Sequence, residues 1–269
     1  MSAQILDGKI LAVQLKQSLK KQVSALKSKT GHSPRLVSII VGNDPGTVSY
    51  VSSQQKTAES LGIHYTLEIF KSTVMKEQFL GAIQGFNKDK DVHGIIVNKP
   101  LPQHLDFDTV IRAIAPVKNV EQMCLCTPVG AMALLKSSGI DLTGKEAVVI
   151  GRSQIVGKPL AMMLLDEHCT VTVCHSKTMD LPAHVRRADI VAAAIGKPKF
   201  VKGEWIKPGA IVIDVGVNQA DGKIVGDVDF DAVKQKAGYI TPVPGGVGPV
   251  TSVMLMKNVV EAFKQQASG

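Results

Sequence analysis

Apolar residues recur at helical spacing from the start of the chain: Ile10, Leu11, Leu15, Leu19, Val23 and Leu26 follow a candidate N-cap at Asp7 and stop near Gly31. This pattern predicts an opening helix. Short apolar or β-branched runs at 36–41 and 94–97 then alternate with helical patterns over 47–61 and 75–87. The second half repeats the alternation with sharper runs at 147–150, 170–174, 189–194 and 210–215. Near-continuous apolar strands of this length require a sheet covered on both faces, and strands alternating with helices make it mostly parallel. From Pro249 onward, Val250, Val253, Met254, Met256, Val260 and Phe263 predict a final helix. The expected fold is therefore α/β, with one domain over residues 1–120, completed by a helix from 250–269, and a second over 121–249.

Composition changes this picture little. A chain of 269 residues with 45% hydrophobic and 20% charged residues can bury two ordinary cores. No apolar run reaches membrane-spanning length, and the N-terminus carries no basic or Arg/Ser-rich leader, so a cytoplasmic protein is expected. The formal charge of +8 raises the question of nucleic acid, but Lys16, Lys20, Lys21 and Lys27 sit on a helix pattern and aromatic residues total only 4%. That spread suits a solvated face, or attraction of a phosphate-bearing or poly-carboxylate ligand, so no nucleic-acid or membrane partner is expected. Cys124 and Cys126 lack a second cluster at ligand spacing, so no metal is expected.

Candidate chemistry concentrates after the run at 147–150. Gly151-Arg152-Ser153-Gln154-Ile155-Val156-Gly157 is a glycine turn leading from a buried strand into a helix. Gly151 permits the tight turn, Gly157 close helix packing, and the amide groups at the helix start can accept a pyrophosphate. The next strand ends in His175-Ser176-Lys177-Thr178, with no acid to hold ribose hydroxyls. Arg152, Ser153, Ser176 and Lys177 therefore favour a 2′-phosphate and the cofactor NADP.

These motifs, together with Asp214-Val215-Gly216-Val217-Asn218, Gly226-Asp227-Val228-Asp229 and Thr241-Pro242-Val243-Pro244-Gly245-Gly246-Val247-Gly248-Pro249, resemble the bifunctional methylenetetrahydrofolate dehydrogenase/methenyltetrahydrofolate cyclohydrolase (FolD) family. Val41-Gly42-Asn43-Asp44-Pro45, Tyr50-Val51, Gly62-Ile63 and Pro100-Leu101-Pro102 extend the resemblance through the first half. It implies two α/β domains across a cleft, the second Rossmann-like, and a homodimer. It also implies NADP-dependent oxidation of a folate followed by hydrolysis of the methenyl product. Gly151, Arg152, Ser153, Gly157, Ser176 and Val217 would meet the cofactor; Val97, Glu121, Pro244, Gly245, Gly246, Val247 and Gly248 would meet the folate.

Where the family carries Tyr-x-x-x-Lys, this chain reads Tyr50-Val51-Ser52-Ser53-Gln54. One helical turn keeps positions 50 and 54 on a shared face, but an amide cannot take up or release a proton as a lysine can. Lys56, two residues on, turns about 200° away. The family's Val-Gln-Leu-Pro appears as Val97-Asn98-Lys99-Pro100, which makes Lys99 a candidate displaced cation. Glu121 replaces the aspartate that grips the pterin, and roughly a dozen residues of the following loop are missing by comparison with the family pattern. The expected function is an NADP-dependent dehydrogenase whose hydrolysis is weak or lost. The alternatives are a non-catalytic folate- or dinucleotide-binding relative, or an enzyme with a changed substrate.

Overall fold

Asp7 starts the first helix as its position predicts, accepting from the amides of Lys9 (2.7 Å) and Ile10 (3.2 Å) on Oδ1. The computed structural model describes residues 2–123, 125–220 and 222–267. Its first half runs β1 (Gln4–Ile5), α1 (Gly8–Thr30), β2 (Arg35–Val41), α2 (Pro45–Leu61), β3 (His64–Phe70), α3 (Lys76–Lys88), β4 (Gly94–Val97), α4 (Phe107–Ala113) and α5 (Val120–Met123). The second continues with α6 (Cys126–Ser137), β5 (Glu146–Ile150), α7 (Gly157–Asp166), β6 (Thr170–Cys174), α8 (Leu181–Arg187), β7 (Ile190–Ala193), β8 (Ile211–Asp214), β9 (Asn218–Ala220), β10 (Lys223–Val225), α9 (Phe230–Lys234), β11 (Tyr239–Ile240) and α10 (Val247–Ala267). Cys124, of the Cys-x-Cys pair, lies outside the described residues.

The chain divides into two compact units, Met1–Val13 with Leu125–Thr251, and Gln14–Cys124 with Ser252–Gly269. This differs from the expected division at the N-terminus, where residues 1–13 belong with the later segment. The reason is β1, which pairs in parallel with β11 and becomes the edge of that unit's sheet. A two-residue strand leaves almost no periodic signal, so its partner could not be read from the sequence.

The unit containing residues 14–124 holds a parallel three-stranded sheet in the order β3-β2-β4. β2 is buried along nearly its whole length, as a central strand must be. β3 was not expected: its sequence, His64-Tyr65-Thr66-Leu67-Glu68-Ile69-Phe70, mixes polar residues into an edge strand that is only partly covered. Phe79, Ile83, Val92 and Ile95 pack the core beside Val37, Ile39 and Val97. α2, which carries Tyr50 and Gln54, is defined at both ends. Asp44 caps its start, bonding the Thr47 amide at 2.8 Å with Pro45 in the first turn, and Gly62 ends it in the left-handed conformation (φ 79°).

The segment leading to Glu121 is pinned from below. The buried Lys118 ammonium donates to the carbonyls of Phe86 (3.1 Å) and Asp89 (2.6 Å), at the C-terminal end of α3 where a cation is favoured. Asn258 on α10 donates to the Val120 carbonyl at 2.7 Å, and Asn119 pairs with Ile95 beside β4.

The other unit holds a parallel six-stranded sheet in the order β1-β11-β8-β7-β5-β6, over a core that includes Val148, Ile150, Val191 and Val212. The chain leaves β5 for β6 on one side and returns to β7 on the other. The C-terminal ends of β5 and β7 are thus a topological switch point, the place where open α/β sheets receive ligands.

Candidate active site

At the switch point Gly151 takes φ 125°, and a Cβ there would run into the Ala194 carbonyl oxygen. A Cβ on Gly157 would run into the Gly151 carbonyl oxygen, so the helix start lies directly on the turn. The amides at that start are not bare, as the sequence led us to expect. Those of Val156 and Gly157 donate to Ser153 Oγ (3.2 and 3.3 Å), and that of Lys158 to the Ser153 carbonyl (3.1 Å). A phosphate arriving here would meet the Ser153 hydroxyl and the turn. Arg152, Ser153 and Ser176 are exposed on this rim, as is Val217 beyond β8. Asp180, the first acid after β6, accepts the Ala183 amide and caps α8.

Two buried carboxylates that sequence reading had noted only within motifs hold this end of the sheet. Asp227 accepts the amides of Ile195 (2.6 Å) and Gly196 (3.0 Å) on one oxygen, and the Lys197 amide (2.8 Å) and the Asn218 side chain (2.9 Å) on the other. Asp214 accepts the amides of Gly216 and Asp227, both at 3.0 Å, and of Val228 at 2.9 Å. Burial pushes the Asp214 carboxyl up to about 6, against the pull of those three amides. Gly216 and Gly226 have no room for a Cβ, because the Asp227 and Asp214 carboxylates fill the space. Only spatial proximity reveals these roles, since the partners lie up to 32 residues apart.

The loop Pro244–Gly248 also belongs to this unit. Gly8 donates to the Gly245 carbonyl at 2.9 Å, and a Cβ on Gly8 would strike the Gly246 carbonyl oxygen. Pro244 and Gly248 are exposed, while Gly245, Gly246 and Val247 are buried.

In the other unit, Gln54 and Asn98 come together but turn inward. Gln54 is 0% exposed and Asn98 5%. Gln54 Nε2 donates to Asn98 Oδ1 (3.2 Å), Asn98 Nδ2 to Ser38 Oγ (2.8 Å), and Ser38 Oγ to Gln54 Oε1 (3.2 Å). Tyr65 donates to the same Gln54 oxygen at 3.0 Å, and burial pushes its phenol up to about 12. Val97, expected beside folate, is 1% exposed, and its side chain belongs to the core. Tyr50, one turn before Gln54, is 42% exposed. Lys56 is exposed and takes no part in this cluster.

Lys99 is exposed, with its ammonium 3.8 Å above the Phe107 ring. Burial pushes the Glu121 carboxyl up to about 7, while the charge of Lys99 pulls it back down. Burial thus leaves a carboxyl able to exchange a proton near neutrality. Among the described residues no group of three or more His, Cys, Asp or Glu could hold a metal ion, and no helix is long and apolar enough to cross a membrane.

Two family models match nearly the whole chain: the tetrahydrofolate dehydrogenase/cyclohydrolase catalytic domain over residues 6–121, and the NAD(P)-binding domain of the same family over 125–267. The chain belongs to the tetrahydrofolate dehydrogenase/cyclohydrolase family. It is 49% identical to the bifunctional protein FolD of Acidovorax ebreus across 282 residues, covering 98% of this chain and 100% of that one. That matched span exceeds the 269 residues present here, so relatives carry residues this chain lacks. The FolD of Bacillus licheniformis is 48% identical, with 98% and 99% covered. Among solved structures, FolD of Campylobacter jejuni superposes with TM-score 0.93 at 42% identity, covering 98% of this chain and 99% of the other. The Trypanosoma brucei FolD complexed with NADP cofactor and inhibitor gives 0.94 at 36%, with both chains fully covered. The family's two-domain α/β fold is therefore this chain's fold.

Proposed function

We propose that this family member is an NADP-dependent methylenetetrahydrofolate dehydrogenase whose cyclohydrolase activity is weak or absent. One observation carries this reading: the dinucleotide turn is whole, while the position of the family's lysine holds an amide sealed in a neutral hydrogen-bond ring. The two reactions make different demands on that position. Oxidising a methylene bridge to a methenyl cation moves a hydride and no proton, so it depends on holding donor and acceptor together. Hydrolysing the methenyl cation adds water, sheds a proton and opens a ring, which needs a group that can take up and release protons.

NADP, when bound, supplies the hydride acceptor. Gly151 and Gly157 let the backbone approach its pyrophosphate, and Ser153 offers a hydroxyl there. Arg152 and Ser176 stand on the rim where a 2′-phosphate would be recognised, a reading supported by the capping use of Asp180. Val217, exposed beyond β8, would meet the bound cofactor. Glu121 holds the pterin's nitrogen donors when ionised, Tyr50 faces the folate, and the backbone at Val97 and Pro244–Gly248 lines it. The residues of the shorter matched model take folate, those of the longer one the dinucleotide. A soluble cytoplasmic homodimer is the expected assembly, checked by light scattering on the purified chain.

The test is NADPH formation from methylenetetrahydrofolate, with hydrolysis of methenyltetrahydrofolate followed separately. Expected are NADPH production that Arg152 and Ser153 substitutions abolish, and methenyl decay at the uncatalysed rate. Tight binding of both ligands without turnover would instead select a non-catalytic relative, and turnover of neither folate a changed substrate.

A further inference from the structure

The Ile39 carbonyl fixes the direction of every hydrogen bond in the polar cluster around Gln54. Asn98 Nδ2 lies 3.1 Å from the Ile39 carbonyl, which only accepts, so the nitrogen is fixed on that side. Asn98 Oδ1 must then face Gln54, which turns Gln54 Nε2 toward Asn98 and Oε1 toward the hydroxyls of Ser38 and Tyr65. The result is a closed ring in which Ser38 donates to Gln54, Gln54 to Asn98, and Asn98 back to Ser38, with Tyr65 donating in from β3. Both lone pairs of Gln54 Oε1 and both hydrogens of Asn98 Nδ2 are used. Ser38 is a polar residue at 0% exposure inside the apolar strand β2, a placement that would be costly without these partners.

The ring joins three elements, β2, α2 and the end of β4, and β3 closes it from the side. Its outward neighbours are Tyr50, one turn back on α2, and Lys99, the residue after Asn98. We propose that Ser38 and Tyr65 are positioning residues of the folate site, locking Gln54 and Asn98 inward so that Tyr50 and Lys99 present themselves to the substrate. This rests on the folate reading above. The titratable groups around the ring are the phenols of Tyr65 and Tyr50; the nearby charges of Lys99 and Glu121 act on each other.

Gln54→Glu tests the ring. The ionised carboxylate still accepts from Ser38 and Tyr65 but cannot donate to Asn98; protonated, it donates and closes the ring again. We expect the tetrahydrofolate Kd of the variant, taken as a ratio to wild type at each pH, to be near one at acid pH. It should rise about three- to tenfold at alkaline pH, the scale of one hydrogen bond. The NADP Kd ratio stays level. Tyr65→Phe, which removes one outer bond and adds no charge, serves if the first variant folds poorly; it should weaken tetrahydrofolate about two- to threefold at every pH, with NADP unchanged. A pH-independent folate ratio for Gln54→Glu, or equal changes for both ligands, overturns the proposal, as does an unchanged folate Kd in Tyr65→Phe. Because Kd needs no turnover, an inactive wild type would sink the dehydrogenase reading while the Kd ratios still decide this one.

Discussion

The dinucleotide turn and the Gln54 ring are built from different materials. At Gly151 and Gly157 the shape is set by backbone, and an added Cβ meets a carbonyl oxygen. Around Gln54 the backbone frame of β2, α2 and β4 is ordinary, and the chemistry lies wholly in four side chains. The first kind of site tolerates no substitution without structural loss. The second can change its chemistry completely while the fold stays intact, provided the new polar atoms find partners. That difference makes the Gln54 position the easier of the two to change by substitution.

The largest effect that would sharpen this contrast is expected from Gly151→Ala. A Cβ against the Ala194 carbonyl, at a backbone angle that L-residues rarely adopt, should cost about 2–4 kcal/mol of stability and abolish NADP binding. Denaturant unfolding and NADP titration check it; a variant of wild-type stability would show that the turn is not backbone-limited.

A smaller effect is expected at Glu121. Folded, its carboxyl keeps its proton up to about pH 7; unfolded, it releases it near 4.5. The folded state therefore binds the extra proton between those values, and stability falls as pH rises through that window. Glu121→Gln should flatten the upper part of the slope by on the order of 1 kcal/mol after allowance for partial exposure, read from unfolding curves across pH. Asp214 adds a slope of the same sign at lower pH, between 3.8 and about 6, and is left in place by this variant. For folate the sign reverses: affinity improves as Glu121 ionises, and the variant loses that dependence.

The smallest change is expected from Gln54→Lys. Ser38 Oγ, Tyr65 Oη and Asn98 Oδ1 offer an ammonium three oxygens, so the variant should fold. The amine would still face inward, and methenyl hydrolysis should rise less than about tenfold, against the 10²–10⁴ that acid–base catalysis commonly supplies. Recovery on the scale of that full range would break the comparison.

Much of the scaffold was legible because its signals are local. Asp7 and Asp44 cap the helices they precede, and the run at 147–150 enters a glycine turn as its spacing requires. That position 54 carries an amide, which cannot ionise, could also be read directly. What could not be read depends on contacts between distant residues. Ser38 and Tyr65 lie 16 and 11 positions from Gln54, and nothing in either local sequence marks them as its partners. Lys99 was a candidate displaced cation; its place above the Phe107 ring, eight residues on, could not be read from the sequence. Asp227 read as part of a motif, yet its work is to hold Ile195, Gly196 and Lys197, which only the sheet brings near.

Lys118 has a consequence for how this chain could come to differ in length from its relatives. Its ammonium staples the 116–118 turn to the end of α3, and Asn258 fastens Val120, so the backbone entering position 121 is moored before any variable stretch begins. A deletion downstream of this point would leave these bonds in place and the backbone entering position 121 held as it is.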